Sequence, residues 1–452
     1  MVDDAAPGGS VAGGGRAVVV GGSLTGLLAA RALAAHFRQV VLVDRDPFPT
    51  GPEWRKGVPQ ARHVHVLLKQ GERILADYFP AIVDDLLRGG SSRVDMSRDT
   101  RWLFFGGWKV RFPSGMEMLS QSRAYLEWRV GARVAALPNV RVVGRREVAG
   151  LLVDDRGHAS GVRLAPDETL AADLVVDAGG RGSRMPQWLR ETGFDPPAET
   201  EIAVNVGYAS RFYRRPASPP GDWLGLMIYP TPPGTRLGVL FPVEDDRWLV
   251  TLVGWFGDHP RPENDAFLEF ARSLEASELY EAIRGATPLS PVAIHKFPSN
   301  RRRHYEQLAR LPEGIAVIGD AFCSFNPIYG QGMTTGALGA RTLDESLRAH
   351  RSLHPPRDLR GFSQRFHRRL ARVIASPWIA TTTEDLRTPA AGNHRPPWVP
   401  LVNWYTEKVH RLGCRDEFVG RRVLEVMHLT APPQALFHPY IVYRALTLGA
   451  PS

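Results

Sequence analysis

The spacing of apolar positions changes several times along the chain, and the changes mark its organisation. Arg16 to Gly21 (RAVVVG) is a short β-branched run entering a glycine turn, Leu24 to Phe37 carries apolar residues at helical spacing, and Val40 to Asp44 (VVLVD) is continuously apolar. Strand, glycine turn, helix and strand within about 30 residues predict a βαβ unit. Pro47 to Leu68 reads as loop, Trp102 to Phe112 as hairpin-like, and Arg123 to Ala136 as helix. Val140 to Val153 and Ala159 to Leu164 alternate around Asp154 to Gly157, the pattern of a hairpin, and Leu174 to Val176 is a further buried strand. Residues 200–298 differ in character. Strand candidates at Ala203 to Phe212, Leu224 to Tyr229, Leu237 to Pro242, Trp248 to Phe256 and Val292 to Phe297 are separated by Pro- and Gly-rich turns, with a hairpin turn at Glu244, Asp245 and Asp246. Gly314 to Asp320 returns to a buried strand, a helix begins near Met333, and residues 350–450 read as helical with proline interruptions.

These elements predict an α/β protein: a Rossmann-like nucleotide-binding domain, an inserted antiparallel-sheet domain and a helical C-terminal region. The expected ranges are a flexible tail at 1–15, a discontinuous nucleotide-binding domain at 16–80, 100–184 and 300–350, a substrate-binding sheet at 185–299, and helices at 351–452.

Gly21-Gly22-Ser23-Leu24-Thr25-Gly26 stands where a G-x-G-x-x-G dinucleotide fingerprint should stand. A pyrophosphate there would meet the unpaired amides and positive dipole of a helix N-terminus. Ser23 replaces the middle glycine, and its hydroxyl can also reach a phosphate oxygen. Asp44, 18 residues beyond Gly26, ends the second strand, where a carboxylate accepts hydrogen bonds from ribose hydroxyls. Gly319-Asp320 closes a buried strand, and Asn326-Pro327-Ile328-Tyr329-Gly330-Gln331-Gly332-Met333 leads into a helix.

Together these segments resemble the class A flavoprotein monooxygenases of the para-hydroxybenzoate hydroxylase type, with their G-D…P…G-x-G-M pattern. The resemblance implies that the nucleotide is FAD, that Asp320 hydrogen-bonds its ribityl chain, and that Pro327 lies beside the ring. Gly330, Gly332 and Met333 would bring amides and a helix N-terminus to the pyrimidine edge, where negative charge collects on reduction. Arg123, in Ser122-Arg123-Ala124-Tyr125-Leu126, resembles the helix arginine that reaches the cofactor. The family's Ala-Asp-Gly segment is altered, with Gly179 at the acid's position in Asp177-Ala178-Gly179-Gly180-Arg181-Gly182-Ser183. Either NAD(P)H or a separate flavin reductase could therefore supply electrons. Arg55-Lys56-Gly57-Val58-Pro59-Gln60-Ala61-Arg62-His63-Val64-His65 looks like a segment of the bacterial olefin epoxidases of polyether ionophore biosynthesis, the lasalocid and monensin type. Asp44 to Pro49, Gly180 to Ser183, Asn326 to Met333 and Pro242 to Trp248 match as well, so the likeness spans residues 16–350. It adds Arg45 and Arg55 to the expected cofactor contacts and makes His63 and His65 loop or packing residues near the flavin rather than metal ligands.

The implied reaction uses O₂ as co-substrate. Reduced flavin would react with it at C4a, and the resulting hydroperoxide would deliver one oxygen to an electron-rich carbon of a large apolar, polyketide- or isoprenoid-like intermediate, free or carrier-bound. An alkene needs no side-chain base; a phenol does. No residue declares itself as that base, with His295, Tyr229 and a water relay left open, so epoxidation is mildly favoured and the catalytic residues stay unassigned. An aromatic hydroxylase, a prenyl-chain reductase of the same fold and a flavin-binding non-redox cyclase are the alternatives.

Composition narrows the classes. The net charge of +9 does not indicate nucleic acid, because the basic residues are scattered and only Lys56, Lys69, Lys109, Lys296 and Lys408 are lysines. Arg301, Arg302 and Arg303, and Arg365, Arg368 and Arg369, read as solvated faces, with an acidic carrier protein as the alternative partner. Cys323 and Cys414 are too few for a disulfide framework. With neither a signal-peptide pattern nor a long apolar run, the expectation is a cytoplasmic protein without integral membrane association.

Overall fold

The computed structural model describes residues 14–218, 220–355, 357–387 and 394–447, so the expected tail falls almost wholly outside the described residues. A five-stranded parallel sheet runs in the order Ile315–Val317, Leu174–Asp177, Arg16–Val20, Gln39–Val43, Val140–Val143. Its three central strands carry continuous apolar runs because both faces are covered, whereas the edge strand Val140–Val143 is interrupted by the exposed Arg141. Leu24–Ala34 and Gln331–Arg351 are among the helices that bury its side chains in one core. The edge strand Ile315–Val317 is closed by side chains of the helix Phe362–Asp385. The Ile315 amide donates to Ser363 Oγ at 3.0 Å and the Val317 amide to His367 Nε2 at 3.0 Å, which satisfies an edge that would otherwise need another strand.

The second large sheet has eight strands, in the order Cys323–Ser324, Ala293–Arg303, Glu199–Arg214, Arg247–Gly254, Arg236–Val243, Gly225–Ile228, Thr100–Phe104, Gly107–Trp108. All neighbours are antiparallel except Gly225–Ile228 with Thr100–Phe104. At the hairpin turn, Asp245 and Asp246 take φ of 63° and 49°, the left-handed region such turns require.

The α/β class with a nucleotide-type sheet, further sheets and C-terminal helices agrees with the sequence reading, but the sheets do not respect the expected ranges. Thr100–Phe104 and Gly107–Trp108, expected with the nucleotide-binding segments, instead extend the eight-stranded sheet, giving Gly225–Ile228 a partner on its free side. Ala293–Arg303 also continues past residue 299. Its arginines are not a solvated face: Arg301 and Arg303 lie opposite Glu201 and Glu199, and Arg303 is buried with Nε 2.8 Å from Glu199. The C-terminal region divides in two. Phe362, Phe366, Leu370 and Ile374 join the core of the parallel sheet, while Val409, Leu412, Val419, Val423 and Ile441 form a small core of their own.

Candidate active site

The two glycine-punctuated strand ends face one groove of about 490 Å³. Gly21, Ser23, Asp44, Arg45, Arg123, Asp320, Pro327, Gly330, Gly332 and Met333 line it, whereas Gly22, Gly26, Arg55 and Gly319 lie behind its surface and shape it. Gly26 is required by close approach, since a Cβ there would stand 1.8 Å from the Gly21 carbonyl oxygen.

Behind the first turn sits a charged cluster that sequence reasoning missed. Glu127, buried on the helix Arg123–Ala135, accepts from Ser23 Oγ (3.0 Å), the Leu24 amide (3.2 Å) and Arg123 Nε (2.9 Å), and from Arg55 Nη2 at 3.1 Å. Burial alone would raise the Glu127 acid, but Arg123 and Arg55 override it and hold it down at about 2. Arg55 also donates to Asp44 (3.2 Å) and to the Gly22 carbonyl (3.0 Å). Asp44 in turn accepts the Gly22 amide at 2.6 Å. Arg55 is thus a strut beneath the phosphate turn rather than a lining residue. The Ser23 hydroxyl is committed to Glu127, while Arg123 Nη2 donates to it at 2.9 Å. The i, i+4 spacing of Arg123 and Glu127 on one helix was the available signal. Glu244 fixes that helix from the other sheet, accepting the Ser122 amide (2.8 Å) and hydroxyl (2.6 Å).

At the other end, Asp320 follows the strand Ile315–Val317, and its carboxylate has no hydrogen-bond partner among the described residues. Desolvation raises its pKa, against Arg123, Arg181 and Arg301. An acceptor left unpaired beside a groove fits the hydroxyl-rich ribityl chain. Gly330, at φ 65°, N-caps the helix Gln331–Arg351, whose first-turn amides have no side-chain cap. With Arg45, Arg123, Arg146, Arg181 and Arg184 around the groove, the donor set suits an anionic dinucleotide with an electron-accepting ring. The altered segment turns its acid inward: Asp177 is buried and accepts the Gly179 amide at 2.9 Å and the Ser183 hydroxyl.

Beyond Pro327 and Gly330 lies a smaller pocket, about 100 Å³, lined by no Asp, Glu, Lys or Arg. One face of the eight-stranded sheet supplies Tyr208, Met227, Tyr229, Val239, Phe241 and Val253. The alternate residues Leu226, Leu240, Trp248, Val250 and Leu252 pack the opposite face in a core shared with the helices Asn264–Arg272 and Glu278–Ile283. Met427 and His428 of the C-terminal region also line the pocket. His65 and His295 line both cavities. Arg123 Nη1 donates to His65 Nε2 at 3.2 Å and His65 Nδ1 donates to the His63 carbonyl at 2.9 Å, which assigns the tautomer. Burial and the Arg123 charge drop its pKa to about 3. His63 is held by Ser210 (2.7 Å) and is likewise lowered to about 3 by burial and by His65, His295 and Arg62. Burial lowers His295 too, and it has no hydrogen-bond partner among the described residues. Tyr229 donates to the Ile328 carbonyl at 3.2 Å, with burial raising its phenol. Among the described residues no group of three or more His, Cys, Asp or Glu could hold a metal ion, and no helix is long and apolar enough to cross a membrane.

The family model described as FAD binding domain matches residues 16–352. Protein Rv3254 of Mycobacterium tuberculosis is 32% identical over 89% of this chain and 85% of its own length. Kynurenine 3-monooxygenase of Salinispora arenicola is 27% identical over 90% and 84%. The crystal structure of PqsL from Pseudomonas aeruginosa superposes with a TM-score of 0.60 at 17% identity, covering 84% of this chain and 99% of PqsL, which speaks for the fold. The chain therefore belongs to the family described as FAD binding domain.

Proposed function

We propose that this protein is an FAD-dependent monooxygenase that transfers one oxygen atom to an apolar, polyketide- or isoprenoid-like intermediate, and that an alkene is the group oxidised. The observation that carries the reading is the uncharged pocket behind the Pro327–Gly330 wall, where Met227, Tyr229, Val239 and Phe241 would pack the reacting end of an apolar molecule. When bound and reduced, FAD would supply the oxygen-activating chemistry. The chain's own residues would do the rest. Asp320 and the amides after Gly330 would hold and orient the cofactor, Arg123 and Arg45 would meet its phosphates, and the apolar sheet face would exclude water from the reacting carbon. The volume behind the wall suits the reacting end alone, leaving the remainder of a large substrate outside it. The likeness of Arg55 to His65 to the polyether epoxidases supports an alkene. Electrons would come from NAD(P)H directly or through a separate reductase.

A second reading, hydroxylation of an aromatic ring, is favoured by His295. This imidazole, kept neutral by burial and lining both cavities, could accept a phenolic proton. The relative from Salinispora is, by name, a monooxygenase of kynurenine. Supplying polyene and phenol panels under ¹⁸O₂, with NAD(P)H alone and with an added flavin reductase, tests both readings. Label in an epoxide supports the first, label in a phenol loses it to the second, and product formation without label sinks both.

A further inference from the structure

We propose that Asp385, at the C-terminal end of the helix Phe362–Asp385, is a positioning residue for the FAD: its carboxylate holds in place the Asn326–Gly330 segment that separates the groove from the pocket. Asp385 belongs to neither glycine motif and lies more than 50 residues beyond the second. Its side chain is buried and collects three donors. Oδ1 accepts Asn326 Nδ2 and the Tyr329 hydroxyl, each at 2.9 Å, and Oδ2 accepts Asn300 Nδ2 at 2.6 Å. The amide oxygens face the other way. Asn300 Oδ1 accepts the Asn326 backbone amide at 2.5 Å, and Asn326 Oδ1 accepts the Tyr208 hydroxyl at 2.9 Å. The network therefore fixes both asparagine flips and leaves every donor with one destination.

The consequence lies one residue further on. Asn326 N-caps the turn Pro327–Tyr329, and Gly330 then begins the helix whose amides face the groove. Pro327 and Gly330 line both cavities, so the place of that wall depends on Asn326 and Tyr329, and both depend on Asp385. Charge near the carboxyl is sparse. Glu384, its neighbour on the helix, is engaged by Arg387 at 2.8 and 3.0 Å, and the phenols of Tyr208 and Tyr329 are raised by burial. No Arg or Lys pairs with Asp385 among the described residues. Burial, with a smaller contribution from Glu384, pushes the Asp385 acid up to about 7 against the three hydrogen bonds that favour its charged form. Protonation removes the charge that three donors share, and the new O–H can be met only if the Tyr329 hydroxyl turns from donor to acceptor, so the grip on the wall loosens as the pH falls through neutrality.

The experiment titrates FAD into apoprotein by flavin fluorescence and follows the visible spectrum of the holoprotein with pH, for wild type, Asp385→Asn, Asp385→Ala and Thr383→Ala. Thr383 is a buried residue of the same helix whose hydroxyl has no hydrogen-bond partner among the described residues, so it controls for general loosening of that helix. Both Asp385 variants are expected to bind FAD about tenfold or more weakly, and Thr383→Ala to bind as wild type. The wild-type spectrum should shift with a midpoint near neutrality, and Asp385→Asn should abolish that shift. Folded Asp385 variants with wild-type FAD affinity and pH response would overturn the proposal. If neither variant folds, the wild-type titration decides, because a flavin spectrum flat between about pH 5 and 8 would also overturn it. A wild-type protein that takes up no FAD contradicts the cofactor assignment itself, a different failure.

Discussion

The two sides of the Pro327–Gly330 wall are built on opposite principles. On the nucleotide side, buried charges lock one another: Arg55 is shared by Asp44 and Glu127, and Glu127 by Arg55 and Arg123. On the other side the pocket has no charged lining, and its imidazoles are kept neutral by burial. Buried ion pairs contribute little net stability but hold position strongly, because an unpaired buried charge is costly. An apolar wall holds by shape, and tolerates change within the limits of packing. The cofactor end is therefore rigid and specific, and the pocket end is open to change.

The strongest test of that contrast is Arg55→Ala, which leaves two carboxylates without their shared partner. It should cost about 3–5 kcal/mol of stability, read by denaturant unfolding, and FAD should be lost with it. Arg45→Ala, at an exposed lining position, should leave stability nearly unchanged. Equal losses in the two variants would break the distinction between strut and lining. Next come adjacent residues on opposite faces of one strand. Leu240→Ala, in the far core, should cost about 2–5 kcal/mol, whereas Val239→Ala should cost less and mainly enlarge the pocket. If Val239→Ala proves the more damaging, the assignment of faces is reversed. Asp320→Ala should weaken FAD binding by about 1–3 kcal/mol while leaving apoprotein melting unchanged; unaltered affinity would mean the carboxylate does not meet the ribityl chain.

Acid is the gentlest probe of this cluster, since Glu127 stays ionised at neutral pH. The Glu127 acid is held below its ordinary value in the folded protein, so its contribution is complete above the usual carboxylate range and is lost as pH falls towards about 2. Wild type should therefore show an acid limb in its melting temperature that is shallower in Arg55→Ala, where part of the depression is gone. Parallel limbs in the two proteins would show that Arg55 does not hold Glu127 ionised.

The parts legible in the sequence were those where function constrains neighbours in the chain. Glycine turns at strand ends, the acid after the second strand and the Asp320 to Met333 run each do their work within a few residues, so their spacing carries the meaning. Which of Leu226 and Met227, or of Val239 and Leu240, faces the pocket was not legible, because a shift of one residue exchanges the faces and only the observed register settles it.

Local periodicity and turn chemistry were enough for the strands that enter the two glycine turns, for the helices that leave them and for ten residues of the groove wall. That Arg55 is a strut, that Thr100–Phe104 joins the eight-stranded sheet, and that Glu127, Glu244 and Asp385 brace the site is visible only in three dimensions. Each depends on partners far apart in sequence, a strand edge that needs pairing or a buried carboxylate that needs converging donors, and such partners meet only once the fold has formed.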